Sequence, residues 1–200
     1  HYAFEGCEGL TSIRIPYDET MTTIGNGAFY RCTGLTSVEL SNTINHIGQY
    51  AFFGCQSLSS IDIPNSVKSI GSNAFEQCSS LKVVRLSENL TSIDASTFQN
   101  CNSLISCEIP ESVVTIGKSA FKGCSNLTSI NIHNGINNVC DEAFLGCNNL
   151  TSIEIPNSIK LIGNKVFKNC PNLNTVIINN DSLISLSHTT SSNVASIFGQ

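Results

Sequence analysis

A motif that recurs about every 23 residues limits the possible folds of this chain more than any other feature. It is marked by phenylalanines spaced by 25 residues once and then by 23 residues six times: Phe4, Phe29, Phe52, Phe75, Phe98, Phe121, Phe144 and Phe167. A cysteine follows each phenylalanine by three residues, and a leucine follows each cysteine by three more. Self-similarity at such a period indicates a repeat architecture in which each unit packs on its neighbours. We therefore expect a solenoid.

Each repeat contains one segment with the alternation of a strand and one with the spacing of a helical turn. Leu10, Ile13 and Ile15 alternate with polar residues, which predicts a strand with one buried face. The spacing of Ala74, Phe75 and Cys78 suits a short helical turn packed on the core. Parallel strands joined by crossovers are almost always connected in the right-handed sense. The predicted fold class is α/β, a right-handed solenoid with a concave parallel β-sheet, one strand per repeat, and short helical turns on the convex side.

The repeats predict a single domain. About eight 23-residue repeats run without an interruption, and a degenerate ninth occupies residues 180–200. We therefore treat residues 1–200 as one solenoid. Because the pattern starts within a repeat and stops within a strand, both ends are expected to be truncated.

Composition excludes several classes of partner. Only 12% of the residues are charged, the net charge is −5, and the ten basic residues are scattered along the chain. Nucleic-acid binding usually needs a basic patch or stripe, so we expect no nucleic-acid partner. No apolar run approaches the roughly 18 residues of a membrane span, so we expect no membrane insertion by this segment.

Ten cysteines raise the question of disulfides and metal sites, but eight of them occupy one position of the repeat. Side chains stacked on parallel strands about 4.8 Å apart keep their Cβ atoms farther apart than the roughly 3.8 Å of a disulfide. We therefore predict buried free thiols, with Cys107 also in the core and Cys140 as the one exposed thiol. No Cys-x-x-Cys pair or adjacent histidine is present, so neither a metal site nor a cofactor is expected.

No catalytic group is expected either. The four histidines fall at unrelated positions of different repeats, which favours solvated surface histidines. Glu39 and Asp62 are neighbours in one predicted column, and an acid pair is the basis of glycosidase chemistry. An open sheet lacks the cleft that tunes such groups, however, so the chain is predicted not to be an enzyme.

The predicted binding face is the outward column at the centre of the strands, which contains Arg14, Glu39, Asp62, Arg85, Glu108, Asn131 and Glu154. An alternative face on the convex side contains Tyr30, Tyr50, Phe53 and Leu145. Solenoids offer extended surfaces of this kind for partners. We expect a protein or glycan ligand on the concave face.

The consensus Ile-Gly-x-x-Ala-Phe-x-x-Cys-x-x-Leu-Thr-Ser-Ile-x-Ile-Pro-x-Ser-Val, fullest over residues 47–67 and 116–136, resembles the BspA-like, Treponema-type leucine-rich repeats. The resemblance implies a bacterial cell-surface or secreted protein that adheres to host proteins or other cells, hence a non-catalytic extracellular protein-interaction scaffold. Two alternatives stay open. The repeats could be an appendage of a larger secreted enzyme, or an intracellular regulatory interaction module.

Overall fold

The computed structural model describes residues 1–179, and within this range it contains strands and turns but no helix. One set of strands carries the Leu-x-x-Ile-x-Ile pattern; these long-pattern strands are β1 (Ser12–Arg14), β3 (Ser37–Glu39), β5 (Ser60–Asp62), β7 (Val83–Arg85), β9 (Ser106–Cys107), β11 (Ser129–Ile130), β13 (Ser152–Ile155) and β15 (Thr175–Ile178). The second set lies between these strands and does not carry the pattern; we call its members the two-residue strands, although β9 and β11 of the first set are equally short. They are β2 (Thr23–Ile24), β4 (His46–Ile47), β6 (Ser69–Ile70), β8 (Ser92–Ile93), β10 (Thr115–Ile116), β12 (Asn138–Val139) and β14 (Leu161–Ile162). In the described part of the chain, no helix is long and apolar enough to cross a membrane.

All strand pairings are parallel, and every strand pairs with its counterpart one repeat away. The two-residue strands form a three-stranded sheet, β2-β4-β6, and a four-stranded sheet, β8-β10-β12-β14. The long-pattern strands pair in twos, as β1-β3, β5-β7, β9-β11 and β13-β15. The prediction of a parallel-stranded solenoid is confirmed. Each complete repeat contributes the predicted strand and also a second, two-residue strand that was not predicted, and the predicted sheet is divided into pairs.

The predicted helical turns are also wrong, and the backbone shows why. In the segment 71–78, Asn73 and Gln77 have left-handed φ angles of 62° and 61°. This conformation turns alternate N–H groups towards the next repeat, where Phe75 N–H donates to the Thr97 carbonyl over 2.9 Å. The intervening amides donate within the segment, as Cys78 N–H does to the Phe75 carbonyl over 3.2 Å. The turns therefore form a third parallel hydrogen-bond ladder between repeats, and no i→i−4 helical bonds remain.

The phenylalanines form the predicted stack through the core. Consecutive rings from Phe4 to Phe167 lie 5.3–5.7 Å apart between centroids with interplanar angles of 3–18°. The rings from Phe52 to Phe144 are completely buried. Offset-stacked aromatic pairs add to the stabilisation from area burial alone, so this column joins the repeats into one core.

The cysteine column is bonded to the same backbone. The Cys101 thiol lies 3.1 Å from the Phe75 carbonyl of the preceding repeat, and the corresponding thiols from Cys32 to Cys170 repeat this contact at 3.0–3.3 Å. All ten cysteines are free. Cys107 is buried as predicted. Cys140 is only half-buried, but Cys7 is the exposed thiol, so the expectation that Cys140 alone is exposed is wrong.

A two-repeat rhythm divides the long-pattern strands into pairs. Prolines follow the strands of alternate repeats, at Pro16, Pro64, Pro110 and Pro156. Asn179 N–H donates to the Ile155 carbonyl over 2.9 Å and so joins β15 to β13. Proline has no N–H to make the equivalent bond. The three interruptions, at β3/β5, β7/β9 and β11/β13, each precede a strand that is followed by a proline.

The positions of the serines also alternate between successive repeats. In a proline repeat, the Ser66 hydroxyl donates to the Ile44 carbonyl over 2.6 Å. In the next repeat, the serine stands at the proline site itself, and the Ser87 hydroxyl donates to the Val67 carbonyl over 2.6 Å. In both of these repeats, a turn carbonyl thus accepts a hydrogen bond from a serine hydroxyl.

His133 stands at the site that Ser87 occupies, and its position contradicts the prediction of a solvated histidine. It is only 7% exposed, with Nε2 3.0 Å from the Pro110 carbonyl and Nδ1 accepting the Gly135 N–H over 3.0 Å. The imidazole accepts the N–H two residues further on, as Ser87 Oγ accepts that of Asn89, but its Nε2 contacts a carbonyl 23 residues earlier, whereas Ser87 Oγ donates to one 20 residues earlier. Of the others, His1 is exposed, His46 is half-buried, and His188 lies outside the described residues.

Candidate binding surfaces

The predicted binding residues occupy one exposed column on the long-pattern strands, whose outward side we call the strand face. Strand register places Arg14 beside Glu39 and Asp62 beside Arg85. All seven predicted residues, Arg14, Glu39, Asp62, Arg85, Glu108, Asn131 and Glu154, are exposed. The inward residues of the same strands are the core aliphatics, so alternation along each strand sets which side chains reach solvent.

Ion pairs cancel the charges at one end of this column. Arg14 Nε lies 3.3 Å from Glu39 Oε2, and an Arg85 guanidinium nitrogen lies 3.3 Å from Asp62 Oδ2, with side-chain exposures of 66–78%. Exposed pairs of this kind contribute little stability. The neighbouring carboxylates of Glu39 and Asp62 are thus each paired with an arginine rather than with each other.

Sequence reasoning missed two exposed apolar residues near the middle of the solenoid, Val83 at the start of β7 and Ile105 immediately before β9. Val83 is 61% exposed and Ile105 is 51% exposed. They lie on adjacent repeats, because Ile105 N–H donates to the carbonyl of Lys82, the residue before Val83, over 3.5 Å. The signal was present in the sequence, since each residue replaces the serine or threonine that most other repeats carry at its position.

The residues of the alternative face lie at two separate positions on the surface. Tyr30, Tyr50 and Phe53 form an aromatic cluster in which the Tyr30 and Phe53 rings stack at 4.8 Å and the Tyr50 ring meets Phe53 edge-on at 5.9 Å. The Arg31 guanidinium lies 5.7 Å from the centre of the Tyr30 ring. Most of this aromatic surface is already covered, since Phe53 is only 9% exposed.

Leu145 does not join that cluster. It occupies the same column as Phe53 but four repeats further along, which at about 4.8 Å per repeat places it about 19 Å away. The neighbouring feature there is an ion pair, with Lys122 Nζ 2.7 Å from Glu142 Oε2. The hydrogen bond from Lys122 lowers the pKa of Glu142 below the ordinary carboxyl value.

The described residues show no arrangement typical of catalysis. Among residues 1–179 no three His, Cys, Asp or Glu side chains converge as metal ligands would. His46 Nδ1 lies 2.7 Å from the Ser69 hydroxyl on the two-residue strands, but no contact described for this pair brings a carboxylate to the imidazole. Burial raises the pKa of the Cys55 thiol to about 12, so the buried column is unsuited to nucleophilic chemistry.

The repeat of this chain matches a known protein family. Six copies of the BspA type leucine-rich repeat region match residues 1–128 and 91–197. The chain belongs to the BspA-type leucine-rich-repeat family. No curated protein matches the chain significantly in sequence.

Solved structures from three bacteria are similar to this BspA-type chain. The Treponema pallidum leucine-rich-repeat protein is 25% identical with a TM-score of 0.63, over 84% of this chain and 69% of the other. A Bacteroides ovatus leucine-rich-repeat protein is 26% identical with a TM-score of 0.62, over 90% of this chain and 58% of the other. The pneumococcal vaccine antigen PcpA is 23% identical with a TM-score of 0.54, over 86% and 51%, and this likeness concerns the fold alone. The chain thus spans between about half and about two thirds of these proteins.

Proposed function

We propose that this chain is a non-catalytic interaction scaffold of a cell-surface or secreted protein, and that it mediates adhesion to host proteins or other cells through the strand face. Membership of the BspA-type family supports the surface location. The observation that carries the proposal is the strand face itself, an exposed column of seven residues from successive repeats. Extended surfaces of this kind are how solenoids bind macromolecules.

The strand face has the anatomy of a protein interface. Val83 and Ile105 supply an exposed apolar centre, and the hydroxyl-rich columns and ion pairs around them supply a polar rim. Binding energy in protein interfaces concentrates in a few central residues, while rim charges set orientation and salt dependence. We therefore assign the anchoring contacts to Val83 and Ile105, and the electrostatic selection to the acidic residues of the column.

Adhesion of protein-coated beads to epithelial cells and to immobilised matrix proteins tests the proposal. The first variant, Val83→Ser with Ile105→Thr, returns both sites to residues that other repeats carry, so the fold should be unaffected. It should reduce adhesion about tenfold, since central interface residues commonly contribute more than 1 kcal/mol each. A second variant neutralises Glu39, Asp62, Glu108 and Glu154, and should weaken adhesion and its salt dependence while stability stays almost unchanged.

The control variant changes Tyr50 and Phe53 to serine at the aromatic cluster. Strand-face docking predicts that this variant, once shown to be folded, still adheres. Loss of adhesion in the aromatic variant together with full adhesion in both strand-face variants would contradict the proposal and move the docking site to the turns.

A further inference from the structure

The solenoid departs from its own period at one place, the loop after β1. The connection from Tyr17 to Thr23 is two residues longer than its counterparts. Tyr17, the first residue of this loop, is 73% exposed, which makes it the most exposed of the large hydrophobic side chains described. An irregularity in an otherwise regular array is where a specific site can be built, so we consider what this loop adjoins.

The loop holds Tyr17 in a defined position. Asp18 Oδ1 accepts the Thr20 N–H over 2.8 Å and the Thr20 hydroxyl over 2.6 Å. These hydrogen bonds from Thr20 lower the pKa of Asp18 below its ordinary value, as expected for a carboxylate that accepts several bonds. The Tyr17 hydroxyl donates to Glu19 Oε1 over 3.2 Å. The hydrogen bonds between Asp18 and Thr20 therefore fix the loop that carries the exposed Tyr17 ring.

Beside Tyr17 runs a shallow groove along the ends of the first four long-pattern strands. It consists of two adjoining depressions, of about 270 and 400 Å³, which share Glu39, Leu40 and Asn42 in their walls. Tyr17 lines the first, and Asn65 lines the second. Three strand spacings of about 4.8 Å make the groove about 14 Å long, sufficient for a short oligosaccharide.

The polar groups of the groove suit hydroxyls better than charges. Its two guanidinium groups and two carboxylates pair as Arg14–Glu39 and Arg85–Asp62, so these four groups carry no net charge. A charged ligand would have to compete with these ion pairs, whereas a hydroxyl can donate to a carboxylate and accept from a guanidinium. Asn42 and Asn65 are exposed and add carboxamides; Asn65 Oδ1 already accepts the Glu88 N–H over 3.0 Å, so this residue contributes chiefly its amide donors.

We infer that this groove, which we call the Tyr17 groove, binds a neutral oligosaccharide. The Tyr17 ring stacks on the apolar face of a sugar ring, as amphipathic aromatic side chains are suited to do. The paired carboxylates and the two asparagines bind the hydroxyls. The inference is independent of the anchoring contacts at Val83 and Ile105, because neither residue lines the groove, whereas Glu39 and Asp62 belong to both the groove and the strand face.

The experiment is a titration of the ¹⁵N-labelled chain with neutral tetrasaccharides built from glucose, mannose, galactose or N-acetylglucosamine, and with a heparin-derived tetrasaccharide as the anionic comparison. At least one neutral probe should shift the amide resonances of residues 14, 15, 17, 39–42, 62, 63 and 65, since Pro16 and Pro64 have no N–H. Tyr17→Ala should weaken that binding about tenfold, whereas Tyr17→Phe should retain it.

Matched controls separate this site from the strand-face proposal. Val83→Ser with Ile105→Thr should bind the neutral probe as the unmodified chain does. The inference is overturned if no neutral probe binds, if only the heparin tetrasaccharide binds, or if Tyr17→Ala binds as well as the unmodified chain. It is also overturned if a peptide library yields ligands that shift the groove residues while none of the sugars do.

Discussion

Replacing Phe98 by alanine tests how the repeats are held together. The Phe98 ring is completely buried, with centroids 5.6 Å from Phe75 and 5.5 Å from Phe121. Removing it forfeits about 2 to 3 kcal/mol of apolar burial and two ring contacts of about 0.5 to 1 kcal/mol each. The sum, about 3 to 5 kcal/mol, matches the usual cost of a buried Phe→Ala change. Urea unfolding followed by far-UV circular dichroism measures it.

Phe4→Ala provides the matched control for this measurement. Phe4 occupies the same column but is 48% exposed, and the structure stacks it on Phe29 alone at 5.3 Å. Its replacement should cost about 1 to 2 kcal/mol, because roughly half as much apolar surface is lost. A cost below about 1 kcal/mol for Phe98→Ala, or equal costs for the two variants, would refute a continuous aromatic core.

Two further predictions concern buried polar groups. At pH 8, Ellman's reagent should modify Cys7 of the native protein at once but Cys55 only after denaturation, because a thiol with a pKa of about 12 stays protonated; rapid reaction at Cys55 would contradict its burial. Ser87→Ala should cost about 1 to 3 kcal/mol in urea unfolding, because the Val67 carbonyl loses its hydroxyl donor. The exposed Ser69→Ala should stay within about 0.5 kcal/mol, and equal losses would show that the Ser87 bond contributes nothing specific.

The sequence predicted the features that repeat strongly. A fixed spacing places Phe75 next to Phe98 in any stacked repeat, and the alternation around Arg85 requires that side chain to face solvent. Both predictions hold because they follow from periodicity alone. The pairing of Arg85 with Asp62 could have been read in the same way, since the two residues share one column in adjacent repeats.

The features that the sequence did not predict depend on contacts between repeats. The two-residue strand Ser69–Ile70 is too short to show alternation, and it forms because the neighbouring repeats supply its hydrogen-bond partners. Asn73 and Gln77 adopt left-handed φ angles, although residues other than glycine rarely do, because the amides of this segment bond across the array. Spacing alone made the segment resemble a helical turn.

The candidate sites likewise divide into a feature that periodicity predicts and a feature that depends on contacts between repeats. The exposed column of the strand face follows from alternation, whereas the groove beside Tyr17 depends on where a longer loop lies relative to three other strands. No propensity or spacing specifies that position. Leu145 was grouped with Phe53 because both were predicted on the convex side. The four repeats between them already place the two residues far apart.

One measurement tests directly the claim that the backbone of each repeat is completed by the next. Scalar couplings across hydrogen bonds, recorded by NMR on the deuterated and ¹⁵N,¹³C-labelled chain, identify the carbonyl that each amide bonds. The account predicts a correlation from the Phe75 amide nitrogen to the Thr97 carbonyl carbon of the following repeat. A correlation from Phe75 to the Gly71 carbonyl, four residues earlier, would mean that the segment is helical and would contradict the account.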